Sequence, residues 1–414
     1  MLIRINRNTE TTIYTWLLIA FVYSMLLVSD ITTVLAVLLF LSWLLFSKKS
    51  FDISVLKTRL MVLFSALYFI YIIGLIYTAD SKGSISTFEA KSAILFFPLI
   101  FGTTGILDSS LLRRIATHFI IATAIASISG LIYGVYQNYL QADSIDPIPG
   151  KNILLFPGFR PFLMGLFCLT AITIAFEKIR ISTNRLKYVL YACIFLFSIT
   201  IFLLSIRMLM ACWLLIIIYY IIKLTKSRQH KILFIAIPFL VLVISSFTIP
   251  SVRKQWSEFF DRTARSAIVL DQDSSLGHDW GGKALRFAIW KCSADILKSH
   301  WLVGVGTGDV QDSLQQAYED RKFYFASRYN RYNAHNQYIQ ISLATGLPGL
   351  VILLSCILYP LWHYKKKFSS DIYLVFLLLF SFICFSESVL EANKGVVWYS
   401  FFNSIFAFGY LNRT

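Results

Sequence analysis

The stretch RLMVLFSALYFIYIIGLIYT, residues 59–78, decides the fold class. After Arg59 it contains no charged residue, and its length matches the roughly 20 apolar residues that a helix needs to cross a bilayer. Similar runs recur along the 414-residue chain, which is 57% hydrophobic and only 14% charged. A soluble core does not need so much apolar surface, so the composition predicts an all-α, polytopic integral membrane protein.

The lengths of the apolar runs predict about twelve transmembrane helices. The predicted ranges are 12–29, 31–47, 59–78, 90–107, 114–135, 154–176, 187–205, 207–223, 231–249, 336–362, 371–388 and 396–411. Only the residues around Arg207 separate the seventh span from the eighth. The predicted organisation is therefore nine spans in 1–250, one large polar loop in 251–334 and three further spans in 335–414.

The charged residues indicate how the chain is oriented. The net charge is +16, and the basic residues form short clusters between the apolar runs. This distribution is typical of residues that set membrane topology and does not indicate a nucleic-acid-binding surface. With a cytoplasmic N-terminus, every strongly basic short loop falls on the cytoplasmic side. We therefore expect an even number of spans, cytoplasmic N- and C-termini, and a large loop on the opposite side of the membrane.

The large loop contains its own helical pattern. Apolar residues recur at helical spacing over about 284–298, and they are followed by the glycine-rich turn GVGTG at 304–308 and a second helix. The turn resembles a phosphate-binding loop, but it is not flanked by a strand and a helix, so a tight turn between helices is the favoured interpretation. Cys292 is the one cysteine of six in this loop, so a disulfide within the loop is not available. No spacing of histidines or cysteines indicates a metal site.

Three arginines are predicted on the side of the large loop. Arg160 enters the sixth span, Arg207 lies between two spans, and Arg286 precedes Trp290 by about one helical turn. Charges at membrane depth are functional candidates by default. Each arginine also has a structural interpretation: Arg160 in an entry turn, Arg207 reaching the headgroups, and Arg286 stacked on Trp290.

A histidine and a glutamate are predicted on the same side. His335 opens the tenth span, and Glu387 closes the eleventh. His335 could simply begin a helix, and Glu387 could pair with Lys394 or Arg160. Together, however, arginines that bind phosphate oxygens and a histidine that removes a proton from a hydroxyl make one chemical set. Glycosyl transfer from a lipid diphosphate requires both functions.

The chain resembles the O-antigen ligase/polymerase family of bacterial envelope glycosyltransferases. The resemblance is carried by ALRFAIWKCSADILKSHWLVGVGTGDV and by NAHNQYIQISLATGLPGL, with a looser match at LLSIRMLMACWL. In the looser segment, Ile206 separates Ser205 from Arg207, and Met208 stands where the family pattern has glycine. The residues that fill the closer pattern are Arg286, Trp290, Gly304, Gly306, Gly308, His335, Asn336, Gly346, Pro348 and Gly349.

The resemblance implies a GT-C-like enzyme of the bacterial inner membrane with its active site on the periplasmic face. Family members of the ligase type transfer a glycan from undecaprenyl diphosphate to a lipid A–core sugar, without nucleotide sugar, metal or cofactor. By this resemblance Arg286 and Arg207 would hold the diphosphate, and His335 would act as the base or orient the acceptor. Further candidates for binding donor or acceptor are Arg160 (from topology alone), Trp290, Asn336, Gln337 and Glu387.

Three other functions stay open. A polymerase would use the same donor and a second lipid-linked glycan as acceptor, and a protein O-oligosaccharyltransferase would glycosylate a protein. A transporter of lipid-linked glycans would be expected to show internal repeats and charges at mid-membrane depth, and neither is visible. In every case membrane lipids surround the chain. We also expect Pro348 to break the tenth span, because proline cannot donate a helix hydrogen bond.

Overall fold

The computed structural model describes residues 7–46, 58–79, 87–104, 107–141, 161–248, 252–253, 282–367 and 370–410. Within these ranges all regular secondary structure is helical, which confirms the predicted all-α class. Seven of the described helices are long and apolar enough to cross a membrane, and three shorter apolar helices accompany them. The chain is therefore a polytopic membrane protein, while the number of twelve spans stays a prediction.

The chain divides into two compact units, which are described separately. The first unit comprises Met1–Ser50 and Ile106–Trp256, and the second comprises Phe51–Gly105 and Ser257–Thr414. The predicted stretches 1–250, 251–334 and 335–414 follow membrane crossing rather than compactness, and they stay predictions.

The helices of the first unit are α1 (Arg7–Leu27), α2 (Ser29–Phe46), α5 (Ser109–Gln141), α6 (Pro161–Ile179), α7 (Asn184–Leu204), α8 (Arg207–Leu224) and α9 (Arg228–Thr248). Helix α6 is buried along most of its length, because α5, α7 and α8 pack around it. Helix α9 buries only Pro238 and Ser245, and its exposed side chains are largely apolar. A helix that is apolar on an exposed face needs lipid around it, as a membrane span does.

The helices of the second unit are α3 (Arg59–Ile76), α4 (Ala93–Thr103), α10 (Gly282–His300), α11 (Val310–Asp320), α12 (Gln337–Lys367), α13 (Ile372–Cys384) and α14 (Asn393–Gly409). Helix α3 begins where the Thr58 hydroxyl accepts a hydrogen bond from the Met61 N–H, a typical N-cap. Its buried residues, such as Phe64, Leu67 and Tyr71, recur at helical spacing and face α4 and α12. The helix predicted over 284–298 and the second helix after the glycine turn are confirmed as α10 and α11.

Two predicted spans that carry candidate site residues differ from the observed helices. The predicted span 336–362 is a broken helix, because Gly346 has non-helical backbone angles (φ 65°, ψ −156°). The predicted span 371–388 was too long, since α13 already ends at Cys384. Glu387 therefore lies beyond the helix rather than in its last turn. The break between the seventh and eighth spans is confirmed, with α7 ending at Leu204 and α8 beginning at Arg207.

Candidate active site

Three of the predicted site residues meet in the second unit. The Arg286 guanidinium lies 3.1 Å from one carboxylate oxygen of Glu387, and His335 Nδ1 lies 3.3 Å from the other. The three side chains are 30%, 28% and 25% exposed, respectively. We call Arg286, Glu387 and His335 the cluster. It combines one fixed positive charge, one carboxylate and one titratable ring, and it stays accessible to a ligand.

Helix α10 supplies the arginine and also supports the histidine. Arg286 additionally donates from Nε to the Ser386 carbonyl oxygen at 3.3 Å. One turn later Trp290 donates from Nε1 to the Ala334 carbonyl oxygen at 3.0 Å, directly before His335. The structure thus brings Trp290 into contact with the backbone that carries the histidine. Its neighbour Phe287 packs edge-on against the indole ring, with centroids 5.7 Å apart.

His335 is held in a left-handed backbone conformation. Its φ is 44°, which is uncommon for a residue other than glycine and costs on the order of 1 kcal/mol or more. The His335 N–H donates to the Asn333 side-chain oxygen, and the Ala334 N–H donates to the Gln340 side-chain oxygen. The Tyr332 ring lies 5.6 Å from the imidazole, and burial raises the pKa of Tyr332, so this phenol stays neutral near the histidine.

The chain between α13 and α14 forms the other side of the cluster. Residues 385–391, which we call the site segment, contain Glu387 and end in a short 3₁₀ turn, Val389–Glu391. The Asn336 N–H donates to the Ser388 hydroxyl at 3.2 Å, and Asn336 Nδ2 donates to the Phe385 carbonyl oxygen at 3.3 Å. Asn336 also accepts from the first N–H groups of α12, so one amide caps a helix and holds the site segment.

Gln337 holds the same segment from deeper in the unit. Its side-chain oxygen accepts from the Leu390 N–H at 2.7 Å, and its Nε2 donates to the Tyr71 hydroxyl at 3.3 Å. Gln337 is fully buried and Asn336 nearly so. Both residues were predicted as substrate-binding candidates, and that role stays a prediction. The structure shows them in contact with the protein's own backbone and side chains.

Sequence reasoning missed a buried lysine beneath the site segment. Lys91 is 2% exposed, pairs with the Glu391 carboxylate at 2.7 Å and also donates to the Leu390 carbonyl oxygen. Its ammonium lies 4.5 Å from the centroid of the Tyr71 ring. Lys91 begins an apolar run, and a charge inside a predicted span is a signal that could have found it.

The glycine turn joins the loop to the broken helix α12. Val305 and Gly306 donate to the carbonyl oxygens of Leu343 and Ala344, at 2.8 and 3.1 Å. In an unbroken helix those carbonyls would accept from residues 347 and 348, and residue 348 is a proline without an N–H. The expected break is therefore confirmed, with Gly346 as the residue that bends. The turn satisfies the carbonyls that the break exposes, which confirms its interpretation as an interhelical turn.

The two remaining predicted arginines lie elsewhere. Arg160 falls outside the described residues. Arg207 is the first residue of α8 in the first unit, where it is partly buried. Ser205 and Ile206 separate α7 from α8, because Ser205 adopts a left-handed backbone conformation with φ 54° that ends α7.

A comparison with protein families finds a match within the chain. Residues 192–354 match a family described as O-antigen ligase. The matched range contains Arg207, Arg286 and His335, and it ends before the site segment. No curated protein matches the chain. The matched range is less than half of the chain, and it supports the predicted resemblance to the O-antigen ligase family.

Proposed function

We propose that this protein is a glycosyltransferase of the O-antigen ligase family and transfers a glycan from undecaprenyl diphosphate to a sugar hydroxyl of lipid A–core. The reaction takes place on the periplasmic face of the bacterial inner membrane, with both termini in the cytoplasm. The observation that carries the proposal is the cluster, in which Arg286 and His335 share the carboxylate of Glu387. The family match supports the reaction class, and the charge distribution of the loops supports the orientation.

The diphosphate of the donor needs positive charge, most of all while it leaves. A guanidinium is always protonated and has five N–H donors on a planar group, so Arg286 can hold Glu387 and a phosphate oxygen together. Stabilising the charge that develops on a leaving group is usually a large part of catalysis. Arg207 is proposed as a second phosphate ligand through the family resemblance, and Arg160 through topology.

The acceptor hydroxyl needs a base. The Glu387 carboxylate accepts a hydrogen bond from Nδ1–H of His335, which leaves Nε2 as the ring atom that receives a proton. The acceptor oxygen then bonds to the anomeric carbon, the bond from that carbon to the diphosphate oxygen breaks, and the hydroxyl proton moves to Nε2. Undecaprenyl diphosphate leaves with its electron pair, and Arg286 neutralises part of that charge.

Matched substitutions test these roles. Arg286→Ala, Arg207→Ala and His335→Ala are expected to abolish glycan attachment, and loss of a general base alone costs about 100- to 10,000-fold. Lys298→Ala on the same helix as Arg286 is the charge control, because Lys298 is 76% exposed. His300→Ala is the histidine control, since His300 is also exposed. Full activity in all three site variants, at normal membrane levels, would contradict the proposal.

Glu387→Gln separates orientation from charge. The amide keeps the shape of the carboxylate but loses its charge, so it fixes the histidine tautomer less firmly and stabilises the imidazolium less. We therefore expect a loss of about 10- to 100-fold in kcat. Binding of the donor, which rests on Arg286, is expected to change less. An unchanged kcat would show that Glu387 only completes an ion pair.

Gel analysis of a deletion strain distinguishes ligase from polymerase, the two activities within the family. Long glycan on the lipid carrier together with bare lipid A–core identifies a ligase. Shortened glycan chains that still reach lipid A–core identify a polymerase, with the same cluster acting on a second lipid-linked glycan.

A further inference from the structure

The turn at residues 301–303, between α10 and the glycine turn, exposes three large apolar side chains in a region that composition assigns to the aqueous loop. Trp301, Leu302 and Val303 are 57%, 52% and 53% exposed. They directly follow α10 and precede Gly304. A contiguous exposed apolar patch of this kind usually marks a binding surface or contact with a membrane.

The backbone of these residues is bound to two membrane-spanning helices. The Leu347 N–H of α12 donates to the Trp301 carbonyl oxygen at 2.9 Å, and the Tyr77 hydroxyl at the end of α3 donates to the Val303 carbonyl oxygen at 2.6 Å. Irregular backbone is tolerated at membrane depth only where its polar groups are satisfied by the protein. The contacts of Trp301 and Val303 meet that requirement.

The surface around the turn continues the lipid-facing surface of the spans. Ile76, in the last turn of α3, is 80% exposed, and Leu347, just after the break in α12, is 43% exposed. On the same helices Ile73 and Val351 are each 51% exposed. Exposed apolar side chains are therefore present both on the two spans and on the turn that is bonded to them.

The lengths of the two helices place the turn at the edge of the hydrocarbon layer. Ile76 lies about 26 Å from Arg59 along α3, at about 1.5 Å per residue. Leu347 lies about 26 Å from Tyr364 along α12 by the same rise, and Tyr364 precedes the lysines at the other end of that helix. Because the hydrocarbon core is about 30 Å thick, both helices reach its boundary at the level of the turn.

We propose that Trp301, Leu302 and Val303 insert into the bilayer and contact lipid acyl chains at the boundary between hydrocarbon and headgroups. Trp301 and Tyr77 are side chains that favour this depth, because each has a large apolar ring and one polar group. The insertion fixes the C-terminal end of α10 at the membrane surface, and α10 carries Arg286. This inference rests on geometry and does not depend on the proposed reaction.

Nitroxide labels test the insertion directly. Leu302→Cys and Val303→Cys are made in a background without the six native cysteines, labelled, and reconstituted in phosphatidylcholine–phosphatidylglycerol nanodiscs. Power saturation then compares collisions with oxygen, which concentrates in lipid, and with a water-soluble nickel chelate. Ile73→Cys is the lipid control, and Glu319→Cys, at an exposed position of α11, is the aqueous control.

The expected result is that the labels at 302 and 303 collide with oxygen more than with nickel, as the Ile73 label does. Nickel collisions as frequent as those of the Glu319 label would place the turn in water and overturn the proposal. Low collisions with both reagents would show that protein covers the turn, whether another chain or a second copy, and would overturn it as well.

A second measurement keeps the native cysteines in place. Wild type and Trp301→Phe are reconstituted in lipids brominated near the headgroup end of their acyl chains, and the difference between their fluorescence is that of Trp301. We expect a loss of that difference signal relative to unbrominated lipid. An unchanged signal that acrylamide in the aqueous phase quenches would again place Trp301 in water.

Discussion

The ion pair between Lys91 and Glu391 gives an asymmetric prediction for stability. Removing one partner of a buried pair costs about 3–5 kcal/mol, because the other charge is left uncompensated. Here the partners differ in burial, since Lys91 is 2% exposed and Glu391 is 25% exposed. The cost therefore depends on which charge stays behind.

Glu391→Gln leaves the ammonium enclosed. Lys91 would keep its contacts with the Leu390 carbonyl oxygen and the Tyr71 ring, and a desolvated cation–π contact recovers up to about 2 kcal/mol. We therefore expect Glu391→Gln to lower the free energy of unfolding by about 2–4 kcal/mol.

Lys91→Met is expected to cost less. Methionine fills most of the same volume with an apolar chain, and the carboxylate of Glu391 can be hydrated through its exposed part. A loss of about 1 kcal/mol follows. The double variant is expected to resemble Lys91→Met alone, because without the ammonium no buried cation needs compensation, and this non-additivity measures the coupling.

Denaturant titration in mixed micelles, followed by tryptophan fluorescence, measures these differences. The exposed pair between Arg331 and Asp312, 64% and 65% exposed, is the control, and either substitution there should change stability by less than about 1 kcal/mol. If Lys91→Met destabilised the protein as much as Glu391→Gln or more, the reasoning from burial would be refuted.

Three further outcomes follow from the second unit. Gly346→Ala should cost about 1–3 kcal/mol of stability, because its φ is 65° and an added Cβ would clash with the Leu302 carbonyl oxygen. An unchanged unfolding midpoint would contradict this. Cys292 should resist maleimide in the folded protein and react after unfolding, because the side chain is fully buried and burial raises the pKa of its thiol to about 12; mass spectrometry of a variant that keeps only this cysteine measures the reaction, and rapid labelling at neutral pH would contradict burial. The hydrogen bond from Lys298, together with Arg321, holds the pKa of Asp295 below its ordinary value of 3.8, so its carboxylate stabilises the fold above pH 3.8 and loses that effect as the pH falls through the lowered pKa. Unfolding of Asp295→Asn against wild type should therefore differ at neutral pH and converge in acid, and a difference that persisted in acid would point to another cause.

Features that depend on neighbouring residues were predictable from the sequence. Apolar runs gave the helical class, the periodicity over 284–298 gave α10, and the interruption at Arg207 gave the boundary between α7 and α8. The break in α12 was also predictable, because Gly346 and Pro348 both weaken a helix. These signals lie within one or two helical turns, where local hydrogen bonding and side-chain spacing decide the structure.

Features that depend on distant partners were not predictable in the same way. Glu387 was expected in the last turn of a span, and nothing in the apolar pattern around it shows that α13 ends at Cys384. Its contacts are with Arg286 and His335, which are 101 and 52 residues away in the sequence. The partner of Lys91 is 300 residues away. Periodicity reports which residues are apolar, and it carries no information about which charges pair.

The contacts of the site segment give a reason why it is not an α-helix. Its backbone and side chains supply acceptors to Arg286, His335, Asn336 and Lys91, and the Leu390 N–H donates to Gln337. In a regular helix the carbonyl oxygens would be paired within the segment, and its two carboxylates would project at fixed helical spacing. Outside the helix, the carbonyl oxygens of Phe385 and Ser386 instead accept hydrogen bonds from Asn336 and Arg286. The two carboxylates then pair with separate cations. Glu391 pairs with Lys91 in the core, and Glu387 pairs with Arg286 at the accessible site.

A change at either carboxylate should therefore disturb the other through the three residues between them. For this reason Glu391→Gln is expected to lower glycan transfer, even though no contact between Glu391 and the cluster is found among the described residues. The rate per folded molecule measures this, and an unchanged rate in that variant would show that the two pairs are independent.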